Sequence, residues 1–154
     1  VADTRVQSSA VNSNYGSQTD LRVSASGPTY RSYLKFTVTG ITGSVQSAIL
    51  RLYVLDPGTV GGSIFTTSNN YLNNTTAWTE SGLTWNNSPA ASGAALSTLG
   101  NARRNRWVEF NVTAALQSNG TYSFVLTSPS QNAVYFSAKE DTAHPPTLVL
   151  NIAP

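Results

Sequence analysis

Apolar and polar residues alternate along most of this chain. In the run Tyr30-Arg-Ser-Tyr-Leu-Lys-Phe36, Leu34 and Phe36 are apolar, and Arg31, Tyr33 and Lys35 occupy the positions between and before them. Residues two apart on a strand share a face, so Leu34 and Phe36 are expected to enter a core. Arg31, Tyr33 and Lys35 are then expected to form a basic and aromatic stripe on the other side. Three further runs repeat the pattern: Arg22 stands between Leu21 and Val23, Arg51 and Tyr53 alternate with Leu50, Leu52 and Val54, and Tyr135, Ser137 and Lys139 alternate with Val134, Phe136 and Ala138. If these strands share one sheet, a single face carries Arg22, Arg31, Lys35, Arg51 and Lys139, five of the nine basic residues.

Period-two runs predict strands over 2–8, 19–24, 31–38, 47–55, 63–67, 107–112, 122–127, 134–137 and 147–152. Turn-forming pieces separate them, among them Asn14-Tyr-Gly16, Gly27-Pro28, Asp56-Pro-Gly58, Asn119-Gly120 and Pro145-Pro146. Helical periodicity is confined to Val112–Gln117, a single short turn at most. Many short strands with regular turn signals predict an all-β fold, an antiparallel β-sandwich of the jelly-roll kind. The stretch 69–100 alternates little and is expected to be a long connection crossing one end of the sandwich, with Trp78 and Trp85 packing it down.

Composition narrows the picture. At 154 residues the chain is expected to be a single domain over 1–154 with its own core. It has no cysteine, so no disulfide or thiol chemistry is available. The net charge of +2 is too small for bulk nucleic-acid binding, and no apolar run is long enough to span a bilayer. The start, Val1-Ala-Asp3, has no basic segment followed by an apolar one and reads as a processed or excised module.

Catalytic chemistry finds little support. Glu80, Glu109 and Glu140 show no pairing suited to glycoside hydrolysis, and His144, the single histidine, lies beside two prolines. A jelly-roll polysaccharide lyase is the nearest enzymatic alternative. With no cysteine and one histidine, zinc is disfavoured. Asp3, Glu140 and Asp141 could meet if the first and last strands are neighbours, which makes them candidate ligands of a structural calcium; no other cofactor is called for. Arg103, Arg104 and Arg106 form a basic loop whose default reading is a solvated one, and which would extend the basic face if it folds over it. Trp107, like Trp78 and Trp85, reads as structural.

One family unites these pieces. Ala2-Asp-Thr4, Asn14-Tyr-Gly16, Leu21-Arg-Val23, Arg31-Ser-Tyr-Leu-Lys-Phe36 and Ser47-Ala-Ile-Leu-Arg-Leu-Tyr53 are followed by Trp78-Thr-Glu80, Leu83-Thr-Trp-Asn86, Trp107-Val-Glu-Phe-Asn-Val-Thr113, Phe136-Ser-Ala-Lys-Glu140 and Pro146-Thr-Leu-Val149. In this order and spacing the chain resembles the DNRLRE domain, also called carbohydrate-binding module family ninety-six. The resemblance implies a non-catalytic β-sandwich module attached to a secreted, extracellular polysaccharide-degrading or surface protein, with an attached catalytic domain the expectation here. It also implies alginate binding, with Arg22, Arg31, Lys35 and Lys139 facing uronate carboxylates. The chain departs from the family pattern at Lys139, where arginine is common, and at His144, where a basic residue often precedes proline.

With the outward-facing residues added, the candidate ligand-binding set is Arg22, Arg31, Tyr33, Lys35, Arg51, Tyr53, Tyr135 and Lys139. Guanidinium groups grip carboxylates bidentately, and phenol rings can stack on pyranose faces, so an anionic polysaccharide is the expected partner of a monomeric module. A neutral polysaccharide bound by stacking, or a structural or adhesion domain, are the alternatives.

Overall fold

The computed structural model describes residues 1–154. It contains ten strands and no helix: β1 (Ala2–Gln7), β2 (Asp20–Val23), β3 (Tyr30–Val38), β4 (Ser44–Asp56), β5 (Gly62–Thr67), β6 (Ala91–Leu99), β7 (Trp107–Asn111), β8 (Gly120–Thr127), β9 (Val134–Ser137) and β10 (Thr147–Ala153). One sheet has the order β1-β3-β8-β5-β6; the other runs β10-β4-β9-β2, with β7 also paired to β4. Every pairing is antiparallel. This is the predicted antiparallel β-sandwich.

The alternation read from the sequence builds the space between the sheets. Leu34, Phe36 and Val38 of β3, Leu50, Leu52 and Val54 of β4, and Phe124 and Leu126 of β8 join one 21-residue apolar cluster. Side chains of one parity on each strand enter it, as the pleat requires. Val112–Gln117 forms two successive tight turns, with Ala115 N donating to Val112 O and Leu116 N to Thr113 O, and does not become helical.

The stretch 69–100 corrects the sequence expectation twice. Its second part is an edge strand, β6, whose small residues (Ala91-Ser-Gly-Ala-Ala-Leu-Ser-Thr-Leu99) are mostly exposed and carry no period-two signal. It pairs only with β5, across a bulge between Ile64 and Thr66. Its first part does not cross an end of the sandwich. Segment 68–90 lies on the outer face of the first sheet, where Val6, Tyr33, Trp78, Leu83 and Val125 form a second apolar cluster. The N-terminal loop clips this segment down: Asn14 Nδ2 donates to the carbonyls of Glu80 and Leu83 at 2.7 and 2.8 Å. Gly16 explains the close approach, since a Cβ there would stand 2.2 Å from the Glu80 carbonyl oxygen.

Candidate functional site

The predicted stripe divides between two sheets. Arg31, Tyr33 and Lys35 lie on β3 of the first sheet, whereas Arg22, Arg51, Tyr53 and Tyr135 lie on β2, β4 and β9 of the second. No common face holds them all. On β3 the outward parity is right, but the overlying segment removes most of the face from solvent. Tyr33 is wholly buried; its hydroxyl donates to Pro89 O at 2.7 Å and its ring meets Trp78 edge-on at 6.2 Å. Burial pushes its phenol above the ordinary value. Lys35 Nζ donates to the carbonyls of Asn69 and Trp78 at 3.0 and 2.6 Å and sits 4.1 Å from the Trp78 ring centre. Burial lowers the affinity of that ammonium for its proton. Both residues anchor the loop rather than face a ligand. Arg31 is half-buried, stacked 4.0 Å over Trp85, and has no acidic partner.

The outer face of the second sheet is built differently. Tyr53 and Trp107 are register partners on β4 and β7. Their rings meet edge-on at 5.4 Å, and His144 stacks on Tyr53 at 3.7 Å with 7° between the planes. Trp107 and His144 are 5.9 Å apart. The three half-buried rings form a platform. Arg51 lies 4.9 Å over Trp107 and 3.5 Å from Glu109. Further along, Arg22 is held by Asp20 and lies 4.3 Å over the Tyr135 ring.

Beside this platform the loop 100–106 carries three arginines. Backbone bonds hold it: Gly58 and Ala102 exchange hydrogen bonds of 3.1 and 2.8 Å, and Val54 bonds to Asn105 and Arg106 at 2.9 Å each. Asn105 takes a left-handed φ of 59°, which asparagine tolerates better than most side chains. Asn101, Arg103, Arg106, Trp107 and Val108 line a cleft of about 380 Å³. Arg103, Arg104 and Asn101 also border an adjoining cleft of about 400 Å³. Arg104 pairs with Asp56 at 3.3 Å; Arg103 and Arg106 are exposed and have no acidic partner.

The sequence profile of carbohydrate-binding module family 96 matches residues 1–152 of the chain. The chain belongs to this family. A search of curated proteins finds no matching relative. Family membership makes the chain a carbohydrate-binding module, of a kind that is generally non-catalytic. In this family 96 module the ion pairs sort the nine basic side chains. Arg5, Arg22, Arg51, Arg104 and Lys139 have acidic partners, and Lys35 is taken by carbonyls. Arg31, Arg103 and Arg106 remain without one.

Lys139 also departs from the predicted face. Its Nζ bridges Glu80 Oε2 and Glu140 Oε1, each at 2.9 Å, and the two glutamates raise its proton affinity above the ordinary lysine value. Beneath it, Asp3 Oδ2 accepts from Lys139 N and Asp3 N donates to Glu80 Oε1, both at 2.9 Å. Carboxylate oxygens of Asp3, Glu80 and Glu140 lie within 4.8 Å of one another. Burial is the main cause that pushes the Asp3 carboxyl up to about 7. Two of the three carboxylates expected to meet do so; Asp141 does not join them. It accepts from Ser137 Oγ at 2.8 Å and stands 4.0 Å from His144 Nδ1. Glu80 takes its place, delivered by the folded-over segment.

Sequence reasoning makes the arginine loop an optional extension of the basic face and does not join Trp107 and His144 to it. Trp107 opens an alternating run, so its outward parity was readable, but nothing local places His144 and the arginine loop beside it.

Proposed function

We propose that this module binds an anionic, uronate-bearing polysaccharide, with alginate the leading candidate, at the cleft between the arginine loop and the Tyr53–Trp107–His144 platform. The observation that carries this reading is the pair Arg103 and Arg106: two exposed cations without acidic partners line one cleft with Trp107. Free guanidinium groups can take carboxylates in two-point contacts without breaking an internal ion pair. The rings alongside offer apolar faces to pyranose carbons. Arg51, Tyr53 and, further off, Arg22 and Tyr135 extend the same sheet face. Arg31, Tyr33 and Lys35 belong to the other sheet and are left out of this site. The module acts by binding alone, as a monomeric part of a secreted protein that also carries a catalytic domain.

The test is affinity electrophoresis against alginate, pectate, hyaluronan and neutral glycans over a salt series. Retardation by a uronate polymer should fade as salt rises, because exposed charges are screened over about 8 Å at physiological ionic strength. Arg103→Ala and Arg106→Ala should each weaken binding by about 1.5–3 kcal/mol, roughly tenfold or more, while stability shifts by no more than about 0.5 kcal/mol. Affinity that is flat with salt and unmoved by both substitutions, with retardation by a neutral glycan, would transfer the role to ring stacking alone. Absence of new reducing ends and of unsaturated-uronate absorbance is the expected result of incubation with alginate or pectate.

A further inference from the structure

Three carboxylates converge where β1, the segment between β5 and β6, and the loop after β9 meet. Asp3 is only 1% exposed, and its Oδ1 has no hydrogen-bond partner. Glu140 Oε2, also shielded from solvent, has none either. A buried carboxylate oxygen without a donor loses its hydration and gains nothing in return. Lys139 does not solve this. Its ammonium engages Glu80 Oε2 and Glu140 Oε1, leaving the two orphaned oxygens untouched. With all three carboxylates ionised, as a bound cation would require, one ammonium leaves two negative charges uncompensated.

We propose that Asp3, Glu80 and Glu140 bind one calcium ion, with Asp3 Oδ1 and Glu140 Oε2 as its inner ligands. The donors are all oxygen, which selects a hard cation over zinc or copper. Calcium–oxygen distances of about 2.3–2.6 Å place ligands on opposite sides of the ion about 5 Å apart. One oxygen from each of the three carboxylates lies within 4.8 Å of one from each of the others, a spread that fits inside one such sphere. A divalent ion matches the missing charge. Calcium needs six to eight oxygens, and waters can supply the remainder from the adjoining cleft of about 370 Å³, lined by Asn14, Ser17 and Ser81 beside the two glutamates. The ion would tie the overlying segment to β1 and to the loop after β9. This site is separate from the arginine cleft, and its test does not depend on sugar binding.

The experiment uses the whole chain, stripped with EDTA, dialysed and titrated with calcium chloride by calorimetry at constant ionic strength, with thermal melts in parallel. One binding event per chain is expected. The melting temperature should rise by about 5–10 °C at a hundredfold excess over Kd, with a smaller effect from magnesium. Asp3→Asn and Glu140→Gln should each weaken calcium binding at least tenfold and remove the calcium-dependent rise. If Asp3→Asn does not fold, Glu140→Gln and the wild-type titration carry the test. No binding heat and no rise in the wild type overturns the proposal, and stabilisation by mild acid alone would then identify a proton as the occupant. Undiminished calcium binding in the variants overturns it as well, placing the ion elsewhere.

Discussion

Trp78→Ala is expected to destabilise the module by about 3–5 kcal/mol, the range for removing a buried tryptophan, measured by urea denaturation. Trp78 is 2% exposed and lies in the five-residue cluster outside the sandwich. Its indole meets Tyr33 edge-on, carries the Lys35 ammonium on its face, and donates from Nε1 to Ser68 O at 3.1 Å. Removing it leaves a void between sheet and segment, exposes the apolar face of Tyr33 and strips the ammonium of its aromatic neighbour. Segment 68–90 should loosen first, so proteolysis within its exposed part, 72–77, should accelerate. A loss below about 1 kcal/mol would mean that the sandwich stands without its outer cover.

Asp20→Ala is the second large effect. Asp20 receives Arg5 Nη1 at 3.2 Å on one oxygen and Arg22 Nε on the other. The Arg5 and Asp20 side chains are 6% and 14% exposed. Arg5 points inward from β1, and burial lowers the proton affinity of its guanidinium, with Asp20 opposing. Deleting the carboxylate strands a buried charge and should cost about 3–5 kcal/mol. Arg5→Met should cost clearly less, because Asp20 keeps Arg22 and a long apolar chain fills the space. Chemical denaturation of both variants checks the order; equal losses, or an Asp20→Ala protein as stable as the parent, would refute the asymmetry.

The second prediction involves Arg5, a residue that pattern reading passed over. In Ala2-Asp-Thr-Arg-Val6 the charges look like one polar face, yet Asp3 and Arg5 are both buried beside the neighbouring edge strand β2. Alternation tells which residues share a side, not whether that side meets water. Tyr33 and Lys35 fail in the same way: their parity was correct, and a segment more than thirty residues further along the chain covers them. β6 was illegible for the opposite reason, since its alanines and serines have too little apolar contrast to register a period.

The sequence by itself determined the all-β class, the bounds of most strands and the residues that fill the space between the sheets. Those follow from local alternation between large apolar and polar side chains, which any pleated strand must respect. It also determined family membership, because ordered short motifs recur through nearly the whole chain. Only the tertiary structure decided which charges are free. A cation's availability depends on the partner that folding brings to it, and here those partners are distant in sequence: Glu80 for Lys139, the carbonyls of Asn69 and Trp78 for Lys35, Asp20 for Arg5. Sheet assignment is likewise non-local, since pairing with β8 or with β9 sends β3 and β2 to opposite layers. That step moved the candidate sugar site from the β3 stripe to Arg103, Arg106 and Trp107.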